Sequence, residues 1–331
     1  MRFSLSFMVV VMAGVIVLIL LMLHTVNQKS SGPPVIVIND NSNKDFSLPF
    51  DQRRKQVVGA QAFQPRGIVQ RHNESYDYKK VLAKLNGDGT AMDEPRLIEI
   101  IRNHFIVPPS KEPYNLEIPD RLDYSNGQTP FIDSRLNYIE GGFYVECGAL
   151  NGEKGSNSLF FEKVRKWNGL LIEADPSNYE VLMTKHRKAF TMHACLNPKP
   201  YPAVMTFNKA FNRGRVVHNQ DAKNWIKKQN IQSDPVQVQC LPLYSILLAL
   251  NQTTVDFFSL DVEGDELSVL KTIPFDKVNI KMLTVEYVHD TGRFSELQAF
   301  MEKNGYETLL RMQRDNGSVN DIIFRKKGLN H

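Results

Sequence analysis

Residues 143–162 read FYVECGALNGEKGSNSLFFE. An apolar run closes on Glu146, glycines stand at 148, 152 and 155, and an amphipathic segment opens behind Ser156. This order predicts a strand, a turn and a helix. Ligands of open α/β sheets sit at such joins, outside the carboxyl ends of the strands. Glycine suits the join because no Cβ keeps the backbone away from a bound molecule.

Working outward, short apolar runs alternate with helical periods. The runs 142–148, 168–176, 189–196, 255–264, 281–289 and 319–326 predict strands. The segments 156–167, 176–188, 265–273 and 293–305 have helical spacing, with Pro176 opening one and Gly305 closing another. Alternation of this kind predicts a mostly parallel sheet with helices on both faces.

Several predicted strand ends carry acids: Glu146, Glu173, the Asp261/Glu263 pair, and Glu286 followed by His289. Glu173 lies roughly 20 residues past the glycine turn, where nucleoside-binding sheets place the acid that holds ribose hydroxyls. Yet GALNGEKG is neither G-x-G-x-x-G nor a phosphate loop, since no G-K-[ST] follows. A carboxylate at the first strand end would also repel a pyrophosphate. An uncharged or cationic group fits there, and a sulfonium nucleoside with an amino-acid tail, S-adenosylmethionine, meets both requirements.

The chain has 331 residues, 42% apolar and 23% charged, with a formal net charge of +4, and its densest basic cluster is Arg53-Arg54-Lys55. That balance excludes a nucleic-acid partner as the working reading. Three cysteines make no disulfide scaffold. In a luminal domain the expected pair is Cys195 with Cys240, leaving Cys147 as packing. No cysteine–histidine spacing resembles a zinc site, so no metal is assigned.

Between Arg2 and His24 the chain carries no charge and is long enough to span a bilayer as a helix. The run exceeds a signal peptide's apolar region and lacks a small-x-small cleavage site, so a signal-anchor is expected. A tail this short is expected to stay in the cytosol, which predicts a type II membrane protein. The N-glycosylation sequons at Asn73, Asn251 and Asn316 are compatible with that placement. The organisation read from the sequence is a tail and anchor over 1–24, a polar stem over 25–90, a helical lead-in over 91–135 and the main domain over 136–331. In the lead-in, Asp93 is the expected cap of a helix whose apolar side is Leu97, Ile100, Ile101 and Phe105.

FYVECGALNGEKGSNSL, GLLIEADP, FFSLDVEGDELSVLKTI, VEYVH and DIIF resemble, in order, the motifs of the FkbM-type methyltransferases. The similarity runs from about Gly141 to Phe324, with DVEGDE its most specific block, and is closest to the animal Star-like branch. The resemblance implies a class I methyltransferase-like (Rossmann-like) α/β fold, a mostly parallel seven-stranded sheet preceded here by a single transmembrane helix. Carried over by position, it implies that Glu146, Gly148, Ala149 and Gly152 surround the cofactor's methionine part, with Glu173 on the ribose. Asp261, Glu263 and Gly264 would face the methyl group, with Asp261 or His289 as base and Glu263 positioning the acceptor.

The chain departs from that pattern at three positions. Glu146 and Leu150 stand where many members have Asp and Asn, and Ser259 replaces a frequent Lys. Leu150 removes a hydrogen-bonding side chain and Ser259 an active-site cation. Two functions therefore stand open. One is a luminal domain acting in endoplasmic reticulum to Golgi or endosome trafficking of membrane cargo such as EGF-receptor ligand precursors, which the Star-like resemblance implies. The other is an S-adenosylmethionine-dependent O-methyltransferase acting on a hydroxyl or carboxylate, either luminal or, with the anchor reversed, tethered to a membrane and facing the cytosol.

Overall fold

The computed structural model of the protein describes residues 35–38, 77–217, 220–287, 294–314 and 319–329. The apolar run expected to cross the membrane, and His289, lie outside the described residues. Among the described residues no helix is long and apolar enough to cross a membrane.

The chain runs through β1 (Val35–Ile38), α1 (Tyr78–Leu85) and α2 (Pro95–Ile100), which continues into a π-turn over Ile101–Phe105. Then come α3 (Gln128–Arg135), β2 (Phe143–Cys147), α4 (Leu159–Val164), β3 (Asn168–Glu173), α5 (Pro176–Thr184) and β4 (Phe190–His193). An insert follows: β5 (Cys195–Leu196), β6 (Ala203–Asn208), β7 (Arg215–Val216), α6 (Gln220–Lys228) and β8 (Pro235–Leu241). The chain closes with α7 (Leu243–Ala249), β9 (Thr254–Leu260), α8 (Glu266–Lys271), β10 (Asn279–Glu286), α9 (Phe294–Lys303), β11 (Tyr306–Arg314) and β12 (Val319–Lys326).

The main sheet has the order β1-β11-β12-β10-β9-β2-β3-β4. Strands β4, β3, β2, β9 and β10 are parallel, and β12 is antiparallel to both β10 and β11. From β2 the chain winds outward through β3 and β4, then returns to lay β9 and β10 on β2's other side. The switch point therefore falls between β2 and β9, where such sheets open a crevice. Seven of the eight strands match the expected class I methyltransferase-like sheet; β1 adds an edge from within the segment read as stem, where the short β-branched run VIVI supplies strand propensity. The same segment also contributes α1.

Each face of the sheet carries a core. Leu97, Leu243, Val269, Leu297 and Met301 bring α2, α7, α8 and α9 onto one face. Ile132, Phe161 and Leu182 bring α3, α4 and α5 onto the other, over Tyr144, Leu171 and Phe257. The helix α2 is capped by Glu94, whose carboxylate accepts the Arg96 N–H, and not by Asp93.

The insert was not anticipated. Residues 189–196 do not form one strand: β4 stays in the main sheet, while β5 enters a separate four-stranded sheet of order β5-β8-β6-β7. Cys195 and Cys240 face each other in the parallel β5–β8 pair and form a disulfide, with Cα atoms 4.4 Å apart. Cys147 is free and buried.

Candidate functional site

The carboxyl ends of β2, β3, β9 and β10 open on a cavity of about 810 Å³, roofed by Phe207 and Val216 of the insert. Gly148, Leu150, Glu173, Asp261, Glu263 and Glu286 all line it. Four of the acids read from the sequence, Glu173, Asp261, Glu263 and Glu286, thus share one cavity, and Glu146 does not line it.

Glu146 turns into the protein. Its Oε1 accepts the Asn157 N–H at 2.7 Å, and its Oε2 accepts the hydroxyls of Ser156 at 2.8 Å and Ser158 at 2.5 Å. A carboxylate can accept several such bonds, so the acid that ends β2 fastens the turn leading into α4. Its part in a site is to set the shape of the loop. Asn157 is held by this turn and by the Ser259 hydroxyl, which accepts from its Nδ2 at 3.0 Å. Its Oδ1 is buried without a hydrogen-bond partner among the described residues, and Asn157 lines the cavity. Ser259, standing where a cation was expected, therefore orients an amide.

Gly148 is dictated by geometry. Its φ is +82°, and a Cβ there would lie 2.1 Å from the Asp261 carbonyl oxygen. The N–H of Asp261 donates to the Cys147 carbonyl at 3.1 Å, so β2 and β9 stay closed up to their last residues. Ala149 is buried and donates to the Ile172 carbonyl at 3.1 Å; Gly152, at φ +77°, packs against Leu182.

Glu173 ends β3 on the cavity wall. Its Oε2 accepts the Leu150 N–H at 2.7 Å and its Oε1 the Asp175 N–H at 2.8 Å. Each oxygen keeps a lone pair for a ligand hydroxyl. Burial pushes the carboxyl up to about 7, against the pull of those two N–H donors. Asp175 in turn caps α5 through the Ser177 N–H at 2.8 Å.

On the opposite wall, carboxylate oxygens of Asp261, Glu263 and Glu286 lie within 4.8 Å of one another. Burial and then repulsion among these carboxylates push Asp261 and Glu286 well above the ordinary carboxylate range. Like charges this close cannot all ionise, so a proton is retained between them. The turn that presents Asp261 and Glu263 is tied by Glu266, whose Oε1 accepts the N–H groups of Val262 at 3.1 Å and Gly264 at 3.0 Å. Gly264, at φ +112°, leaves room for the Arg215 guanidinium, which a Cβ there would meet at 2.7 Å. Chemically, this wall can hold a proton, take one from a hydroxyl, or face a cationic group. Its all-oxygen donor set would also suit a hard divalent cation.

The carboxylates of residues 146, 173 and 261 thus end neighbouring strands, but only the last two reach the cavity. Glu286, Asn157 and Asp321 also line it and were not assigned a role from the sequence. Glu286 and Asp321 are register partners on β10 and β12, a pairing visible only once the antiparallel strand is placed.

Residues 146–308 match the family model described as Methyltransferase FkbM domain. The FkbM match begins on Glu146, spans both walls of the cavity and ends in β11. No curated protein matches the chain. Among solved structures, a Methyltransferase FkbM from Methylobacillus flagellatus KT is similar at 14% identity and a TM-score of 0.36, covering 75% of this chain and 58% of that one. An O-methyltransferase from Bacillus cereus in complex with SAH is 11% identical, TM-score 0.32, covering 62% and 83% respectively. Aeropyrum pernix fibrillarin with natively bound S-adenosyl-L-methionine is 12% identical, TM-score 0.32, covering 56% and 67%.

Proposed function

We propose that this FkbM-type domain binds S-adenosylmethionine at the β2–β9 switch point and transfers its methyl group to an acceptor oxygen. The observation that supports this is the convergence of Glu173 and the Asp261–Glu263–Glu286 group on one cavity. The fit follows from the donor set. Glu173 offers two acceptor oxygens to a ribose diol, the Leu150 turn is tied to it, and the acidic wall suits a cationic centre. When bound, the cofactor supplies an electrophilic methyl group on a sulfonium.

The chain's own residues would do the rest. Glu146 holds the turn at 156–158, and Gly148 lets the turn pass close to β9. The wall of carboxylates orients an acceptor hydroxyl, and Asp261 takes its proton as the oxygen–methyl bond forms. Glu263 positions the acceptor. Incubating the full chain with methyl-labelled cofactor and a secretory-membrane extract tests this. Label transfer abolished by Asp261→Asn is expected; equal transfer by that variant contradicts the role.

A second reading concerns place and partner. The Cys195–Cys240 disulfide supports an oxidising compartment, and the apolar run before His24 supports a membrane anchor. Together with the Star-like resemblance they support a single-pass type II protein of the endoplasmic reticulum and Golgi that handles EGF-type membrane cargo. A glycosidase-sensitive mass shift and co-precipitation of such a precursor are expected. A chain without sugar, or one that retains no precursor, argues against it.

A further inference from the structure

The charges lining the cavity are sorted by depth. Four cationic residues, Arg121, Lys154, Arg213 and Lys228, are all exposed. The acids of the same lining are buried or half-buried: Glu263 is 8% exposed, Glu173 and Asp321 5% each. The four cations come from separate parts of the chain. Arg121 lies in the segment before α3, Lys154 in the glycine turn, Arg213 in the turn before β7, and Lys228 at the end of α6. Lys154 Nζ sits 5.3 Å over the Phe211 ring, joining the glycine turn to the insert on the cavity lining.

We infer that the methyl acceptor is an acidic saccharide, its hydroxyls directed to the carboxylate wall and its carboxylate or phosphate held at the cationic mouth. This rests on the methyl-transfer reading above and names its substrate class. Carboxyl groups accept hydrogen bonds when ionised and can donate one when protonated, so sugar hydroxyls, which both donate and accept, suit this wall. The cofactor carries one carboxylate, which four cations around one opening exceed. Arginine pairs with carboxylate and phosphate through a planar fork, and a charged cleft draws an oppositely charged ligand.

The test is saturation-transfer NMR on the full chain in detergent, with S-adenosylhomocysteine present. The probes are glucuronate, glucose 6-phosphate, glucose and glucosamine; cofactor binding is measured by calorimetry on the same sample. Glucuronate or glucose 6-phosphate should bind at least about fivefold more tightly than glucose or glucosamine, the first two arms separating carboxylate from phosphate. Their affinity should fall about tenfold in high salt, where exposed charges are screened. The double variant Arg213→Gln/Lys228→Gln should weaken both, and Lys79→Gln, outside the cavity, should not. Equal binding of glucose, preference for glucosamine, or a chain that binds cofactor but no acidic sugar overturns the inference. Acidic-sugar binding without cofactor binding would uphold the mouth and reject the methyl-transfer reading.

Discussion

Glu173 Oε2 accepts the backbone N–H of Leu150 at 2.7 Å, joining the end of β3 to the glycine turn that follows β2. The turn is thus held by a main-chain donor, and the apolar side chain at 150 does not interrupt it. The same carboxylate accepts from Asp175, the cap of α5. Glu173→Ala leaves two N–H groups without their acceptor, a loss of about 2–4 kcal/mol at typical values for buried donors. Urea denaturation should show that loss, and Glu173→Gln, which keeps one acceptor oxygen, should lose less.

Gly148 and Gly141 separate steric need from backbone preference. Both have positive φ, +82° and +71°, but a Cβ at 148 would lie 2.1 Å from the Asp261 carbonyl oxygen, while at 141 it meets nothing within 4 Å. Gly141→Ala should cost about 1 kcal/mol, the strain of a left-handed residue. Gly148→Ala must also part β2 from β9, and should cost about 4 kcal/mol or prevent folding. Thermal unfolding of the pair checks the contrast.

Stability should fall as the solution becomes alkaline. Burial raises Glu173 from 4.5 to about 7 and Glu266 from 4.5 to about 6. Between those values the folded chain keeps protons that the unfolded chain releases, so raising the pH favours unfolding. For Glu173 the stabilisation is complete below about 4.5 and gone above about 7, amounting to roughly 3 kcal/mol. Asp261 and Glu286, also raised, act in the same direction. Urea midpoints should therefore be higher at about pH 5 than at about pH 8, an interval that covers most of that window. The slope should flatten in Glu173→Gln.

Cys195 and Cys240, 45 residues apart in sequence, close the insert that roofs the cavity. A loop of that length is stabilised by about 4 kcal/mol on chain-entropy grounds. Thiol counting in denaturant without reductant should find one reactive group, Cys147. Reduction should lower the unfolding temperature, and Cys195→Ser should match the reduced protein.

Much of this arrangement is legible in the sequence because parallel strands buried on both faces read as apolar runs, and their ends read as the acids that stop them. The placement of Glu173 and Asp261 on a shared cavity follows from that pattern. The direction of Glu146 does not: strand position fixes where its Cα lies, and only the serines at 156 and 158 decide where its carboxylate turns. The insert is hidden for a different reason. Strands such as AVMTFN and PVQVQCL are partly exposed and mix polar with apolar residues, and β5 has two residues. The long strand β11 is masked by register shifts at Thr308/Leu310 and Met312/Gln313, which break the two-residue period. Placing Asp321 beside Glu286 required the antiparallel β12, whose partner no local pattern names.

The central claim is that adenosyl cofactor occupies the cavity between Glu173 and Asp261. Titration calorimetry of the full chain with S-adenosylmethionine tests it most directly. The account predicts one molecule bound per chain, with affinity lowered at least about tenfold by Glu173→Ala, the loss of a charged hydrogen-bond acceptor. No heat at millimolar cofactor, or binding that Glu173→Ala leaves unchanged in a folded chain, would contradict it.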